Sequence, residues 1–285
     1  MKTFLLGVGC QKGGTTWLYD YLKSNPRVVA GFGKEYHVLD CIFLPQMSRI
    51  LAATRMKISD LDQRQSLDIH AKRERQYLQN RLDFVENADA YFDHFARMLE
   101  GAPDGSVTCD ITPSYAALPE EAYRLVQESM LRRGVAVKVV FLLRDPVDRI
   151  ISHLRMLRAR SAERRHACTE VEDIQKNYAS WDFEVRTRYE DTIRKLEAVF
   201  PAEDILYLFY EELFTIGSIR TLCQHLGLES APADFSKVVN ASPAEGRCPD
   251  ELRRRIQNHY QATYAFVAEH LTVERVRQAW PTIPG

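Results

Sequence analysis

Hydrophobic positions along this chain alternate between short continuous runs and longer amphipathic stretches. Phe4 to Gly9 is the first run, and Arg27–Ala30, Val107–Ile111, Val137–Leu143 and Ile205–Phe209 follow. Short apolar runs bounded by turn residues read as strands covered on both faces, as in a parallel sheet. Helical patterns separate them: about Thr15 to Ser24, Ala71 to Glu100, Glu120 to Arg133 with Gly134 as its stop, Pro146 onward, Phe183 to Phe200 and Glu211 to Leu226. The last helices fall between Asp250 and about His270. Residues 158–180 are polar, arginine-rich and weakly periodic, which predicts a mobile loop or loose helices. No repeat or low-complexity linker interrupts the alternation. It predicts an α/β three-layer sandwich, a central mainly parallel sheet flanked by helices, as one domain over residues 1–285. In such a sheet, ligands sit at the carboxyl ends of strands near a topological switch point.

Two strand ends carry residues that suit an anion. After the first strand comes Gln11-Lys12-Gly13-Gly14-Thr15-Thr16-Trp17. Glycines without a Cβ let the backbone turn sharply and present N–H groups. A helix beginning near Thr15 directs its N-terminal N–H groups and dipole to the same place. Lys12 adds a charge, and the two threonine hydroxyls add donors. The nucleoside-triphosphatase loop G-x-x-x-x-G-K-[ST] has its lysine after the last glycine, with the following hydroxyl on Mg²⁺. Here the lysine precedes the glycine pair, and no acidic Mg²⁺ ligand stands out nearby, which disfavours a kinase or NTPase. At the second strand end stand Arg144, Pro146 at a helix start, and Ser152 about two turns along. Arginine's planar fork makes paired bonds to phosphate oxygens. Capping the strand and pairing with Asp148 would be its structural alternative.

These two motifs together resemble those of the sulfotransferases that use 3′-phosphoadenosine 5′-phosphosulfate (PAPS), whose fold is P-loop-like. The resemblance is closest to the carbohydrate or heparan-type and bacterial members. It implies that Lys12, Gly13, Gly14, Thr15, Thr16 and Trp17 meet the 5′-phosphosulfate side of the donor, Trp17 near the adenine or else in the core. Arg144 and Ser152 would grip the 3′-phosphate. Tyr189 falls where family members carry a tyrosine ahead of a long helix, with a core position as the alternative. The loop Asn240–Arg247 resembles the one that closes over the 3′-phosphate, which implicates Gly246 and Arg247. The family's basic residue before that glycine is replaced here by Glu245.

For the acceptor's proton, Glu35, His37 and Asp40 match the family's E-x-H-x-x-D. The resemblance makes Glu35 the base, with His37 orienting it and Lys12 neutralising the leaving oxygen. His37 is the competing base, since small-molecule sulfotransferases use histidine, and a turn or helix cap is the alternative role for Asp40. Cys109–Tyr115 resembles the heparan-type E-K-[ST]-P-x-Y. Asp110 and Tyr115 are retained as tentative acceptor contacts, Asp110 alternatively tying down the strand end. Ile111 replaces the lysine, which speaks against a heparan-like acceptor. The expected reaction is metal-independent transfer of a sulfuryl group to a hydroxyl of a sugar or small natural product, releasing adenosine 3′,5′-bisphosphate. A kinase or NTPase, or a non-enzymatic nucleotide-binding module, is the alternative. The acceptor pocket is expected from about 41–100 and 155–180. There Tyr91, Phe92, His94 and Phe95 are core or stacking surface, and the arginines from Arg155 to Arg165 face solvent or an anionic acceptor.

Composition narrows this little. The chain has 285 residues, 45% hydrophobic and 27% charged, with net charge −1. That suits a globular protein with a full core and gives no global field for nucleic acid or an anionic membrane. Six scattered cysteines without metal spacing read as reduced thiols. The apolar start is at the lower limit for a signal peptide and runs straight into the phosphate loop. No other run approaches the ~20 apolar residues of a membrane span. A soluble cytoplasmic protein is expected, its oligomeric state open.

Overall fold

A computed structural model describes residues 1–236 and 246–281. The chain runs β1 (Thr3–Gly9), α1 (Thr15–Lys23), α2 (Leu39–Phe43), α3 (Ser48–Asp62), α4 (Ile69–Glu86) and α5 (Ala88–Leu99). Next come β2 (Val107–Ile111), α6 (Glu120–Arg132), β3 (Ala136–Leu143) and α7 (Pro146–Arg160). Three short helices, α8 (Ala162–Ala167), α9 (Glu170–Asn177) and α10 (Trp181–Glu184), lead to α11 (Tyr189–Glu197) and β4 (Ile205–Phe209). The remainder is α12 (Tyr210–Leu213), α13 (Ile216–Leu226), α14 (Asp250–His259), α15 (Gln261–Leu271) and α16 (Val273–Ala279).

The four strands form one parallel sheet in the order β2-β1-β3-β4. Every residue of β1 and β2 is buried, as strands covered on both faces require. Alternate side chains supply two cores. Phe4, Leu6, Val8, Val139, Phe141 and Leu143 pack into one with α5, α6, α7 and α11. Leu5, Val107, Ile111, Val140 and Leu142 pack into the other with Trp17 and Leu18 of α1 and Ile219 and Leu222 of α13. The result is a three-layer α/β sandwich. The chain leaves β1 for β2 on one side and returns for β3 on the other, so the order reverses between β1 and β3. Their carboxyl ends, Gly9 and Leu143, therefore open the crevice where both anion motifs lie.

Several elements differ from the sequence pattern. Arg27–Ala30 is no full strand. Val28 makes a single parallel bridge to Val107, and Gly31 follows at once. The pattern over 71–100 divides at Asn87, whose extended backbone ends α4 and whose side chain caps α5. The helix expected from Phe183 begins at Tyr189. Helices α3 and α16 had no clear periodicity, because few of their residues are buried. Residues 158–180 are short helices held by ion pairs. Arg158 and Arg164 both reach Asp173, at 3.4 and 2.8 Å, and Arg155 reaches Glu170 at 2.8 Å. Arg158 is buried, so this stretch is not a uniformly solvated face.

Candidate active site

Past Gly9 the backbone enters the left-handed region at Lys12 (φ 72°) and Gly14 (φ 89°). At Gly14 only glycine fits, because a Cβ would lie 2.7 Å from Leu213 Cδ2. Gly14 offers no side-chain cap to α1, and the dipole of that helix N-terminus favours an anion there. Gly13 lies beneath the turn, where a Cβ would meet Cys10 Sγ at 2.8 Å.

Arg144, at the end of β3, reaches back to this loop. Its Nη1 donates to the Lys12 carbonyl at 2.8 Å, and its guanidinium lies 4.2 Å from the centre of the Tyr210 ring. Its Nε is buried without a partner among the described residues. Asp148 does not take it up, pairing instead with Arg253 at 2.8 Å. Burial, then the charges of Arg144 and Arg160, lower the pKa of Lys12. Lys12, Arg144, Thr15, Thr16, Trp17 and Ser152 line one cleft of about 1230 Å³. One end of it is aromatic. The Trp17 ring lies 5.9 Å from Phe235 and 5.2 Å from Phe214, and its Nε1 donates to the Asp234 carbonyl.

Glu35 and His37 line the same cleft. His37 Nδ1 lies 2.7 Å from Asp40 Oδ2, and its Nε2 lies 3.3 Å from Glu35 Oε2. Lys34 Nζ donates to Glu35 Oε1 at 2.5 Å and to Thr15 Oγ1 at 3.0 Å, joining this group to the Gln11–Trp17 segment. Helix α4 anchors the segment from behind: Tyr77 Oη donates to the Glu35 carbonyl and Arg81 Nε to the Tyr36 carbonyl. Burial pushes the Glu35 carboxyl up, but the His37 bond and the Lys34 charge outweigh it and leave the pKa at about 2. Burial lowers that of His37, and the bonds to Asp40 and Glu35 reverse this, raising it to about 9. At neutral pH the imidazole is thus a cation between two carboxylates. Asp40 is fully buried, accepts from Ser114 Oγ and from the Cys41 amide in the first turn of α2, and holds His37.

Other expected site residues lie beneath the cleft. Asp110 is fully buried and accepts from Tyr91 Oη and Tyr115 Oη at 2.8 Å each, Thr112 Oγ1 at 2.6 Å and the Tyr36 amide at 3.3 Å. Burial raises its pKa to about 6 against those bonds. Tyr115 is equally buried and donates to Asp110 from between the strand and α2. Tyr189 donates to the Arg144 carbonyl at 2.8 Å, supporting that residue's backbone. Tyr91, Phe92 and Phe95 are core. Ile111 is buried against Gly7, so no side chain at this position faces the cleft. Arg247 lines the cleft and pairs with Asp250 at 3.0 Å, and the Gly246 carbonyl accepts from Arg155. The rest of the Asn240–Arg247 loop, Glu245 included, lies outside the described residues.

Among the described residues the cleft has ten lysine or arginine side chains against three aspartates or glutamates. Lys34, Arg49, Arg186 and Arg253 come from four separate segments and gave no sequence signal, whereas the other six stood in the motifs or in the basic stretch from Arg155 to Arg165. Among the described residues no group of three or more His, Cys, Asp and Glu side chains is placed for a metal ion. None of their helices is long and apolar enough to cross a membrane.

Comparison with known proteins bears on family and fold. The family model described as the sulfotransferase family matches residues 5–232. The sulfotransferase from Alicyclobacillus acidocaldarius superposes with a TM-score of 0.55 at 17% identity, covering 94% of this chain and 95% of its own. The sulfotransferase domain from the Synechococcus PCC 7002 olefin synthase superposes with a TM-score of 0.50 at 14% identity, covering 91% and 94%. Among curated protein sequences none matches.

Proposed function

This chain belongs to the sulfotransferase family, and we propose that it moves a sulfuryl group from PAPS to a hydroxyl of a sugar or small natural product without a metal. The single observation that carries this reading is the convergence of two anion motifs on one cleft, bonded to each other through Arg144 and the Lys12 carbonyl. Nothing about a simple nucleotide monophosphate requires both.

The residues present fit the donor. The left-handed turn at Gly14 and the uncapped start of α1 suit the 5′-phosphosulfate, in a P-loop-like manner. Arg144, with a buried Nε lacking a partner, and Ser152 suit the 3′-phosphate. Trp17, Phe214 and Phe235 suit the adenine by stacking. Arg247, which lines the cleft, and its neighbour Gly246 suit the 3′-phosphate from the C-terminal side, and Tyr189 and Gly13 support the loop. When bound, the donor supplies an SO₃ group whose leaving oxygen is that of adenosine 3′,5′-bisphosphate. Lys12 neutralises charge at that oxygen, the usual task of a positioned cation where charge develops.

Glu35 is favoured over His37 as the base. A base must start without the proton, and His37 carries one at neutral pH. Glu35 is ionised but weakly basic while Lys34 and His37 hold it. An anionic group arriving beside Thr15 competes for Lys34, and each bond that Glu35 loses makes it more basic. The hydroxyl proton then passes to a Glu35 carboxylate oxygen, and His37 orients that carboxylate. Asp110 and Tyr115 act on the acceptor only by fixing the Tyr36 and Leu39 backbone around Glu35 and His37.

The test follows release of adenosine 3′,5′-bisphosphate from PAPS in EDTA, with a panel of hydroxylated acceptors. Glu35→Gln should lower turnover by roughly 10²-fold or more and leave donor affinity within a few-fold. Turnover intact in both Glu35→Gln and His37→Ala would overturn the base assignment. Turnover that needs Mg²⁺ would overturn the donor reading.

A further inference from the structure

Beyond the donor motifs, the cleft has a second cationic wall that no step so far uses. Arg186, on the turn after α10, is buried and lines the cleft. Its Nη1 donates to the Asp182 carbonyl at 2.7 Å, and Asp182 Oδ1 lies 3.6 Å away on a half-exposed side chain. Its Nε is buried with no partner among the described residues. His153, on α7, also buried and lining the cleft, has an Nδ1 in the same condition, its ring 4.8 Å from Phe183. Behind them Arg149 is fully buried. It reaches only the Phe183 carbonyl, at 3.5 Å, and its Nε and Nη1 have no partners.

Buried cations without full partners cost several kcal/mol each, and this wall holds two guanidiniums with one half-exposed carboxylate in salt-bridge range. Burial, and then the charge of Arg149, lower the pKa of Arg186, and Arg49 adds to this from α3. The Asp40 carboxylate also acts on Arg186, but it is already bonded to His37 and Ser114. Arg186, Arg49 and His153 line the same cleft as Lys12, Glu35 and His37. Met47, Ile50 and Phe183 line the cleft as its apolar surface.

We propose that Arg186, Arg49 and His153 form a subsite for an oxyanion carried by the acceptor, so that the acceptor is a compact hydroxylated molecule bearing a carboxylate, sulfate or phosphate. This deepens, and rests on, the sulfuryl-transfer reading. Guanidinium forks match all three oxyanions in paired, charge-assisted bonds, and a neutral imidazole adds one N–H donor. Such an anchor leaves the reacting hydroxyl free to lie against Glu35. The cations that meet the acceptor's charge then come from α3, α7 and the turn after α10, so the lysine absent at Ile111 does not decide acceptor class.

Inorganic sulfate is the probe, titrated calorimetrically into the protein saturated with adenosine 3′,5′-bisphosphate and, separately, into the free protein. One saturable sulfate site is expected with the bisphosphate bound, weakened at least tenfold by Arg186→Met and several-fold by Arg49→Gln. Arg49 is exposed, so its variant folds even where loss of Arg186 disturbs packing. Sulfate binding indifferent to both variants would place the ion on the donor side and overturn the proposal, as would no saturable binding at all. Failure of the bisphosphate to bind would count against the donor reading. The free-protein titrations would still decide the roles of Arg186 and Arg49.

Discussion

Replacing Arg144 with methionine keeps an apolar stem beside Tyr210 and removes the guanidinium. Two kinds of loss follow, and the structure separates them. The bond from Nη1 to the Lys12 carbonyl and the contact with the Tyr210 ring order the phosphate loop. A typical hydrogen bond is worth about 1 kcal/mol and an exposed or half-buried cation–π contact about 0.5–2 kcal/mol. Those losses fall equally on every nucleotide that uses the loop. The buried Nε, without a partner, belongs to the second kind, because only a 3′-phosphate supplies it. Removing one partner of a buried charge pair costs roughly 2–5 kcal/mol, about 30- to 5,000-fold in affinity. The assay is calorimetric titration of both proteins with adenosine 3′,5′-bisphosphate and with adenosine 5′-phosphosulfate. The variant should lose at least about 30-fold more affinity for the bisphosphate than for the phosphosulfate. Equal losses would refute the 3′-phosphate role, leaving Arg144 a brace for the loop.

Three further outcomes follow from the same contacts. Asp110→Ala strands two buried tyrosine hydroxyls and a threonine hydroxyl, and should cost roughly 3–5 kcal/mol in urea unfolding; Asp110→Asn, which keeps the shape, should cost clearly less, and equal costs would deny Asp110 its role as a hub. His37 is raised from 6.5 to about 9 by its carboxylates, so its contribution is complete below pH 6.5 and is lost as pH rises through 9. That loss is up to about 3 kcal/mol, visible as a fall in unfolding free energy between pH 6 and 10 that His37→Gln should largely abolish. Gly14→Ala forces a Cβ into φ 89° and to 2.7 Å from Leu213, for about 1–2 kcal/mol of backbone strain alone; an unchanged thermal midpoint and unchanged bisphosphate affinity would show that the loop does not need this turn.

The parts legible in sequence were those governed by local pattern. Val137–Leu143 and Val107–Ile111 are continuous apolar runs because both faces of the sheet are covered, and such runs have few alternatives. Lys12, Arg144 and Glu35 stood at strand ends, so topology gathered them. Helix α3 was not legible, since only Thr54, Ile58 and Leu61 of its fifteen residues are buried, too sparse a stripe to give a period. The resemblance left Asp110 as an acceptor contact or a tie for the strand end, and in the fold it is bonded to the Tyr91 and Tyr115 hydroxyls and the Tyr36 amide, from three separate segments. Arg186 and His153 illustrate the opposite case. One arginine among many in a polar stretch and one histidine on an amphipathic helix have no local signal. Their meaning comes from burial without partners, which only the assembled cleft reveals.

On the proposed reading, one cleft holds a nucleotide with phosphates at both ends of its ribose, without a metal. Calorimetric binding of adenosine 3′,5′-bisphosphate against ATP, each with and without Mg²⁺, tests it most directly. Tight bisphosphate binding unaffected by Mg²⁺, with ATP weaker, is the outcome expected from Arg144 and Lys12 acting together. Preference for ATP that appears only with Mg²⁺ would contradict the account and return the Gln11–Trp17 loop to a kinase or NTPase.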